Sequence, residues 1–314
     1  MDELPSTAPN AVPGPRGWKR LARPALYVVG IVLVGAAVMA ARQADGPAVW
    51  PLVQHATVWQ WCALLLIPIG NWLLTSALFS TLTGHFGRVD RGEMAALIGA
   101  SWLLNYLPLQ PGLLGRIAYH RRFHGIAVRH SLVVIGCSMG CTVAAAAIMV
   151  AVTLGAAQTG LGGWVSPLLA FGGGLLLGMG LVIRAARPAA FAGRLLLALG
   201  LRYADMGLAA IRYGVLFAML GHPIRDSEGS ILAATSLVAT LPPVPMGLRE
   251  WAVELLSRSA AMAPATAGLR VDLLGRAGEV VMALVVGLAS AAWLYWRGQG
   301  RQRRLRVIEA DNEG

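Results

Sequence analysis

The stretch "NYLPLQPGLLGR", residues 105–116, sits beside long apolar runs yet holds two prolines, a glycine directly after the second of them and an arginine, which suit a membrane helix poorly. A proline inside a helix removes a backbone donor and clashes with the preceding turn, at roughly 3 kcal/mol. An arginine at the bilayer centre costs roughly 2.5–3.5 kcal/mol even on the insertion scale. Residues this costly mark a built feature.

The surrounding chain is that of an integral membrane protein. Of its 314 residues 56% are hydrophobic and 13% charged, with a mean hydropathy of +0.62, whereas an average soluble domain is about 25% charged. The net charge of +11 is almost wholly arginine, since Lys19 is the single lysine. In a membrane chain such an excess follows the positive-inside rule. No aromatic-interleaved basic patch accompanies it, so nucleic acid is not an expected partner. Cys62, Cys137 and Cys141 all fall in apolar runs and read as small core residues.

Apolar runs long enough to cross about 30 Å of hydrocarbon occur near residues 24–41, 59–83, 131–154, 164–184, 196–220 and 275–296. The expected fold class is therefore an all-α membrane protein of about six spans. Residues 1–23, rich in Pro, Ala and Gly, read as a disordered cytoplasmic tail. The run that follows ends in "AAVMAARQA", which imitates a signal-peptide cleavage site. It is long enough to span, and we take it as an uncleaved first helix. Residues 24–298 form one membrane domain and residues 299–314 a basic cytoplasmic tail. With this topology Arg88, Arg91, Arg121, Arg122, Arg129, Arg184, Arg187, Arg194 and the tail "RGQGRQRRLR" share one face, and residues 42–58 and 221–227 the other. The basic face is expected to be cytoplasmic, with both termini inside a bacterial inner membrane.

Working outward from the opening stretch exposes a repeat. "ALIGASWLLNYLPLQP", residues 96–111, aligns without gaps with "SILAATSLVATLPPVP", residues 230–245, and both end in Leu-Pro-x-x-Pro. Upstream, "LFSTLTGH" at 78–85 parallels "LFAMLGH" at 216–222; downstream, each proline pair is followed by Gly, Leu and Arg. Repeat one covers about 24–154 and repeat two about 164–296, each reading as span, span, broken segment, span. The first broken segment starts at the cytoplasmic face and the second at the outer face, so the repeats are expected to be inverted. Inverted repeats with interrupted helices at a midplane site are a transporter design.

Each limb of a break is about 15 residues, or roughly 22 Å of helix, short for a span, so two re-entrant hairpins are expected. Their structural breaks are Pro108, Pro111 and Gly112 in one, and Pro242, Pro245 and Gly247 in the other. A helix restarting near Gly112 or Gly247 offers unpaired N–H groups and a positive dipole end to an anion. Arg116 and Arg249 fall in the first turn after these glycines, and a guanidinium fork suits phosphate. The alternative for both is pairing with carboxylates such as Glu250 or Glu279. Asn105, Asp205, Arg212, Glu250, Arg276 and Glu279 complete the candidate substrate-binding set, the charged ones because ionisable groups inside a membrane are functional suspects. Asp205 and Arg212, seven apart, share a helix face and can support each other through a polar group.

Other motifs point to structure. His120 and His124 have metal-ligand spacing but no third ligand, and with Arg121 and Arg122 they read as an interfacial basic helix. Cys137 and Cys141 have the same spacing inside a small-residue run and read as helix packing. "FGGGLLLGMG", residues 171–180, lacks the strand-to-helix context of a phosphate loop and reads as close helix contact. No metal or other cofactor is expected.

The Pro-Gly stretch followed by arginine, and "LPPVPMGLREW" with its Gly-x-Arg-Glu, resemble the flippase-like membrane family of the lysylphosphatidylglycerol synthase transmembrane region. That family includes stand-alone bacterial proteins and proposed hopanoid transporters. The resemblance covers about residues 24–298. The family's form is nearer Pro-x-x-Gly-Gly-x-Gly-x-Arg-Glu, shortened here to "PMGLRE", with Arg249 and Glu250 still matching. The soluble aminoacyl-transfer domain of some relatives has no counterpart in the chain, so aminoacylation of lipid is not expected. The resemblance implies movement of a lipid, such as a phospholipid, glycolipid, isoprenoid-linked precursor or hopanoid. The leading expectation is a lipid flippase, without catalytic residues, for an anionic or glycosylated lipid. The alternatives are an accessory subunit partnering a cell-envelope enzyme, and a lipid-modifying enzyme that uses Glu250 and Glu254 as acid and base.

Overall fold

The computed structural model describes residues 36, 39 and 54–313, apart from 107–110, 161–164, 188–189, 243–246, 261 and 263. The expected N-terminal tail, the first span at 24–41, and Pro108 and Pro245 lie outside the described residues. Among those described there are helices and no strands. In chain order they are α1 (Val58–Thr83), α2 (Arg91–Leu104), α3 (Pro111–His124), α4 (Val128–Gln158), α5 (Val165–Ala186), α6 (Phe191–Met219), α7 (Asp226–Ala239), α8 (Leu248–Ser259) and α9 (Ala267–Glu313).

Among the described residues four helical segments are long and apolar enough to cross a membrane: Val58–Thr83, Val128–Gln158, Leu168–Ala186 within α5 and Ala267–Gln299 within α9. The run expected near 196–220 forms α6, which has the length but carries Arg194, Arg202, Asp205 and Arg212. The residues beyond 298, expected as a tail, continue α9 as helix to Glu313. Their proline-free, arginine- and glutamine-rich sequence favours this.

Local chemistry sets the helix ends. Thr57 and Gln60 cap α1 reciprocally, the Thr57 N–H donating to Gln60 Oε1 at 2.8 Å and the Gln60 N–H to Thr57 Oγ1 at 3.4 Å. α2 stops at Leu104, ahead of the first proline pair, and Pro111 opens α3 at the position where a missing N–H costs nothing. Before α8, Gly247 has φ 90°, a conformation glycine adopts without penalty, and its N–H donates to Glu250 Oε2 at 2.8 Å. Glu254 reaches across to the start of α9, accepting from the Thr266 N–H at 2.7 Å and the Leu269 N–H at 3.2 Å.

Helices α1 to α4 have 26, 14, 14 and 31 residues, and α6 to α9 have 29, 14, 12 and 47. Their packing follows the same order. α1 packs on α2, α4 and α9; α6 packs on α7, α9 and α4; α2 packs on α3 and α9; α7 packs on α8 and α4; α3 packs on α4 and α8 on α9. Exchanging α1–α4 with α6–α9 maps this set of pairs onto itself. The pair that maps onto itself, α1 and α6, runs antiparallel: Arg194 near the start of α6 donates to Thr81 O near the end of α1 at 3.2 Å, and Leu208 lies over Gly70. α2 and α3 are also antiparallel, since Tyr119 Oη donates to Glu93 Oε1 at 2.6 Å while Gly112 approaches Ser101 at the other end.

Small residues allow the closest approaches. A Cβ at Gly180 of α5 would lie 2.6 Å from the backbone nitrogen of Leu197 on α6, so the 171–180 run is a packing surface. Cys141 is buried with its Sγ 4.0 Å from Leu195 O, also in keeping with packing.

One end of the bundle gathers basic residues. Arg297 lies 3.6 Å from Asp90 and 3.7 Å from Glu93, His124 lies 3.6 Å from Glu93, and Arg91 and Arg184 line one surface recess. His120 is buried, with Arg121 and Arg122 on the exposed side of α3. The reason is that α3 packs on both α2 and α4, so its histidine face is enclosed. No group of His, Cys, Asp or Glu suited to a metal occurs among the described residues.

Candidate functional site

The two broken segments converge on one cavity of about 400 Å³. The end of α2 and the residues after it contribute Ser101, Trp102, Asn105 and Tyr106, and the start of α3 contributes Leu113 and Arg116. From the second break come Ser236, Leu237, Ala239 and Thr240, and Arg249 of α8. Asn71, Thr75 and Phe79 of α1, Arg202, Asp205 and Arg212 of α6, and Arg276 and Glu279 of α9 close the walls. Arg116, Arg249, Arg212, Asp205, Glu279 and Asn105 therefore share one space. Glu250 stands behind it.

Around Arg249 the charges are densely paired. Its Nε and Nη2 donate to Asp272 Oδ1 at 3.0 and 2.9 Å, and its Nη1 donates to both Glu279 oxygens at 3.1 Å. Arg212 also donates to Glu279, and Tyr213 Oη donates to Asp272 Oδ1 at 2.6 Å. Arg276 reaches Glu250 Oε1 at 3.3 Å and Glu279 Oε2 at 3.6 Å. Asp272, Glu250 and Arg212 are each at most 3% exposed. Ions so far from water are tolerated because each has opposite charge and hydrogen bonds on several sides.

Two turns before Arg212 on α6, Asp205 takes Arg202, one turn before it, at 2.7 Å, and Arg202 also donates to Ser138 Oγ at 3.3 Å. Asp205 and Arg212 make their direct hydrogen bonds to these separate partners, Arg212 turning towards Glu279 of α9.

Arg116 is the exception. It is 9% exposed, and its guanidinium carbon lies 3.9 Å from the centre of the Phe79 ring. Among the described residues it has neither an ion pair nor a hydrogen bond. A buried cation held only by a ring face retains most of its demand for an anion.

Sequence reasoning passed over Asp272, Tyr213 and Arg202. Asp272, Arg276 and Glu279 lie at i, i+4 and i+7 on one face of α9, a pattern legible in the chain but cut by setting the last span to begin at residue 275. Arg202 stands three residues before Asp205, the same kind of signal.

Compared with known proteins, the chain matches no family model, no curated protein and no solved structure. The family resemblance is carried by its quoted motifs alone.

Proposed function

We propose that this protein is a lipid flippase of a bacterial inner membrane, and that Arg116 holds the anionic part of the lipid headgroup in the cavity between two inverted repeats. The observation that carries this reading is the buried, uncompensated guanidinium of Arg116, facing a polar cavity at the meeting point of both proline breaks. Support for the repeats comes from the self-mapping helix packing and the antiparallel α1–α6 pair. Helices α2, α3, α7 and α8, of 12 to 14 residues, are short for spans and serve as re-entrant limbs. In this reading α6 is a fifth span beside the four long apolar segments, the expected first span at 24–41 lies outside the described residues, and the basic end of the bundle faces the cytoplasm.

Arg249 has a different part from Arg116 in this scheme. Its charge is met by Asp272 and Glu279, so it holds α8 to α9 and shapes the cavity wall. Glu250 and Glu254 are occupied by Gly247 and Arg276, and by the start of α9, which leaves neither poised as an acid or base. Lipid tails stay in the bilayer while the headgroup crosses through the cavity. Native mass spectrometry of detergent-purified protein tests this. Wild type should retain an anionic lipid that Arg116→Gln loses; an identical set of lipids on both proteins would overturn the reading.

A further inference from the structure

The charges around the cavity also specify what kind of headgroup fits, an inference that builds on the proposed transporter role. Arg202, Arg212, Arg249 and Arg276 are matched by Asp205, Asp272, Glu279 and Glu250. His120, one turn beyond Arg116 and facing the same region of α1, adds little charge because histidine is mostly neutral at pH 7.5. Among the described residues the sum is a single unmatched positive charge, that of Arg116. The uncharged walls are equally specific. The amides of Asn71 and Asn105 and the hydroxyls of Thr75 and Tyr106 line the cavity, and among the described residues none of these four side chains makes a hydrogen bond. Asn71 Oδ1 is moreover shut away from solvent.

We infer that the cavity selects a headgroup with one negative charge and a neutral, hydroxyl-bearing remainder, that is, a phosphodiester-linked polyol or sugar, over phosphomonoester, diphosphate or uncharged headgroups. One anionic phosphodiester neutralises Arg116. A second charge meets only arginines already engaged by carboxylates and would have to displace one. The four free amide and hydroxyl groups pair with hydroxyls, which both donate and accept. The volume of about 400 Å³ suits such a headgroup without its acyl chains.

The test is a charge ladder read by lipid binding to the full-length protein in detergent at pH 7.5. The probes are phosphatidylglycerol, with one charge and two hydroxyls; phosphatidic acid, whose phosphomonoester approaches two charges; a neutral dihexosyl diacylglycerol; and deacylated glycerophosphoglycerol. Wild type should bind phosphatidylglycerol about tenfold more tightly than either other lipid. Arg116→Gln should weaken phosphatidylglycerol by about 10- to 100-fold, the value of a charge-assisted hydrogen bond, and leave the neutral glycolipid as the best ligand. Asp205→Asn, which keeps a hydrogen-bond acceptor for Arg202 while releasing its charge, should raise phosphatidic acid about tenfold relative to phosphatidylglycerol. A misfolded variant cannot produce that gain.

Preference of wild type for phosphatidic acid or the neutral lipid, or an unchanged ratio of phosphatidic acid to phosphatidylglycerol binding in Asp205→Asn, would overturn the single-charge inference alone. Absence of any Arg116-dependent lipid would overturn the transporter reading with it. Glycerophosphoglycerol binding as tightly as the intact lipid would preserve the headgroup chemistry but assign the site to a soluble solute.

Discussion

The two proline breaks share Leu-Pro-x-x-Pro followed by Gly, Leu and Arg, yet the arginine that follows each has a different fate. Arg249 sits among Asp272 and Glu279 with four hydrogen bonds, whereas Arg116 rests on Phe79 with none among the described residues. What separates them is the helix each half-helix packs against. α8 lies on α9, which carries Asp272 and Glu279, while α3 lies on α4, which has no Asp or Glu along its length. Duplicating a motif therefore does not duplicate its electrostatics, and one of the two arginines is left without a carboxylate partner among the described residues.

The comparison breaks most sharply under alanine. Arg249→Ala strands Asp272 and part of Glu279 in the interior and should cost about 3–5 kcal/mol, seen as a large fall in the thermal unfolding midpoint in detergent. Arg116→Ala should leave that midpoint unchanged or raised, because it removes an uncompensated buried ion. A fall as large as that of Arg249→Ala would show that Arg116 is structural. Replacing both Arg249 and Asp272 by apolar residues, Arg249→Met with Asp272→Leu, should recover about 1–3 kcal/mol relative to the sum of the single changes, measured as a double-mutant cycle on the same unfolding signal.

The glycines sharpen the contrast further, because they are needed for different reasons. A Cβ at Gly112 would collide with the backbone carbonyl of Ser101, so Gly112→Ala should force α3 from α2 and cost about 1–3 kcal/mol. Gly247→Ala meets the left-handed conformation at φ 90°, and should cost about 1 kcal/mol or more with the cavity lining little altered. Lipid binding beside unfolding separates the two: Gly112→Ala should weaken both, Gly247→Ala mainly stability. The smallest expected effect is that of Tyr119→Phe, about 1 kcal/mol, from loss of its bond to Glu93 at the basic end. Lipid affinity should not change.

Much of this was open to a reader of the chain. Proline and glycine announce where α2 and α7 stop and α3 and α8 begin, since their constraints act on the local backbone. The apolar runs at 59–83, 131–154, 164–184 and 275–296 fall on helices that are long and apolar enough to cross a membrane, because length and hydropathy are local properties too. What stayed hidden depended on which helices meet. Nothing near Arg116 or Arg249 in the sequence says which has a carboxylate within reach, and the Arg249 partner Asp272 lies 23 positions away on another helix. The burial of His120 likewise follows from α3 lying between α2 and α4, which an arginine-rich helix face viewed alone does not reveal.

The crossed packing of α2 on α9 and α7 on α4 also sets an order of events during biogenesis. At a synthesis rate of about 5–20 residues per second, α2 emerges about 10–30 s before the helix it packs against. Through that interval Glu93 at its start and the small-residue face around Gly99 must be sheltered by lipid, by the insertion machinery or by α1 and α3 alone. Assembly cannot finish one half at a time, and a nascent chain arrested after α4 should remain more open to protease and membrane quality control than the length already made would suggest.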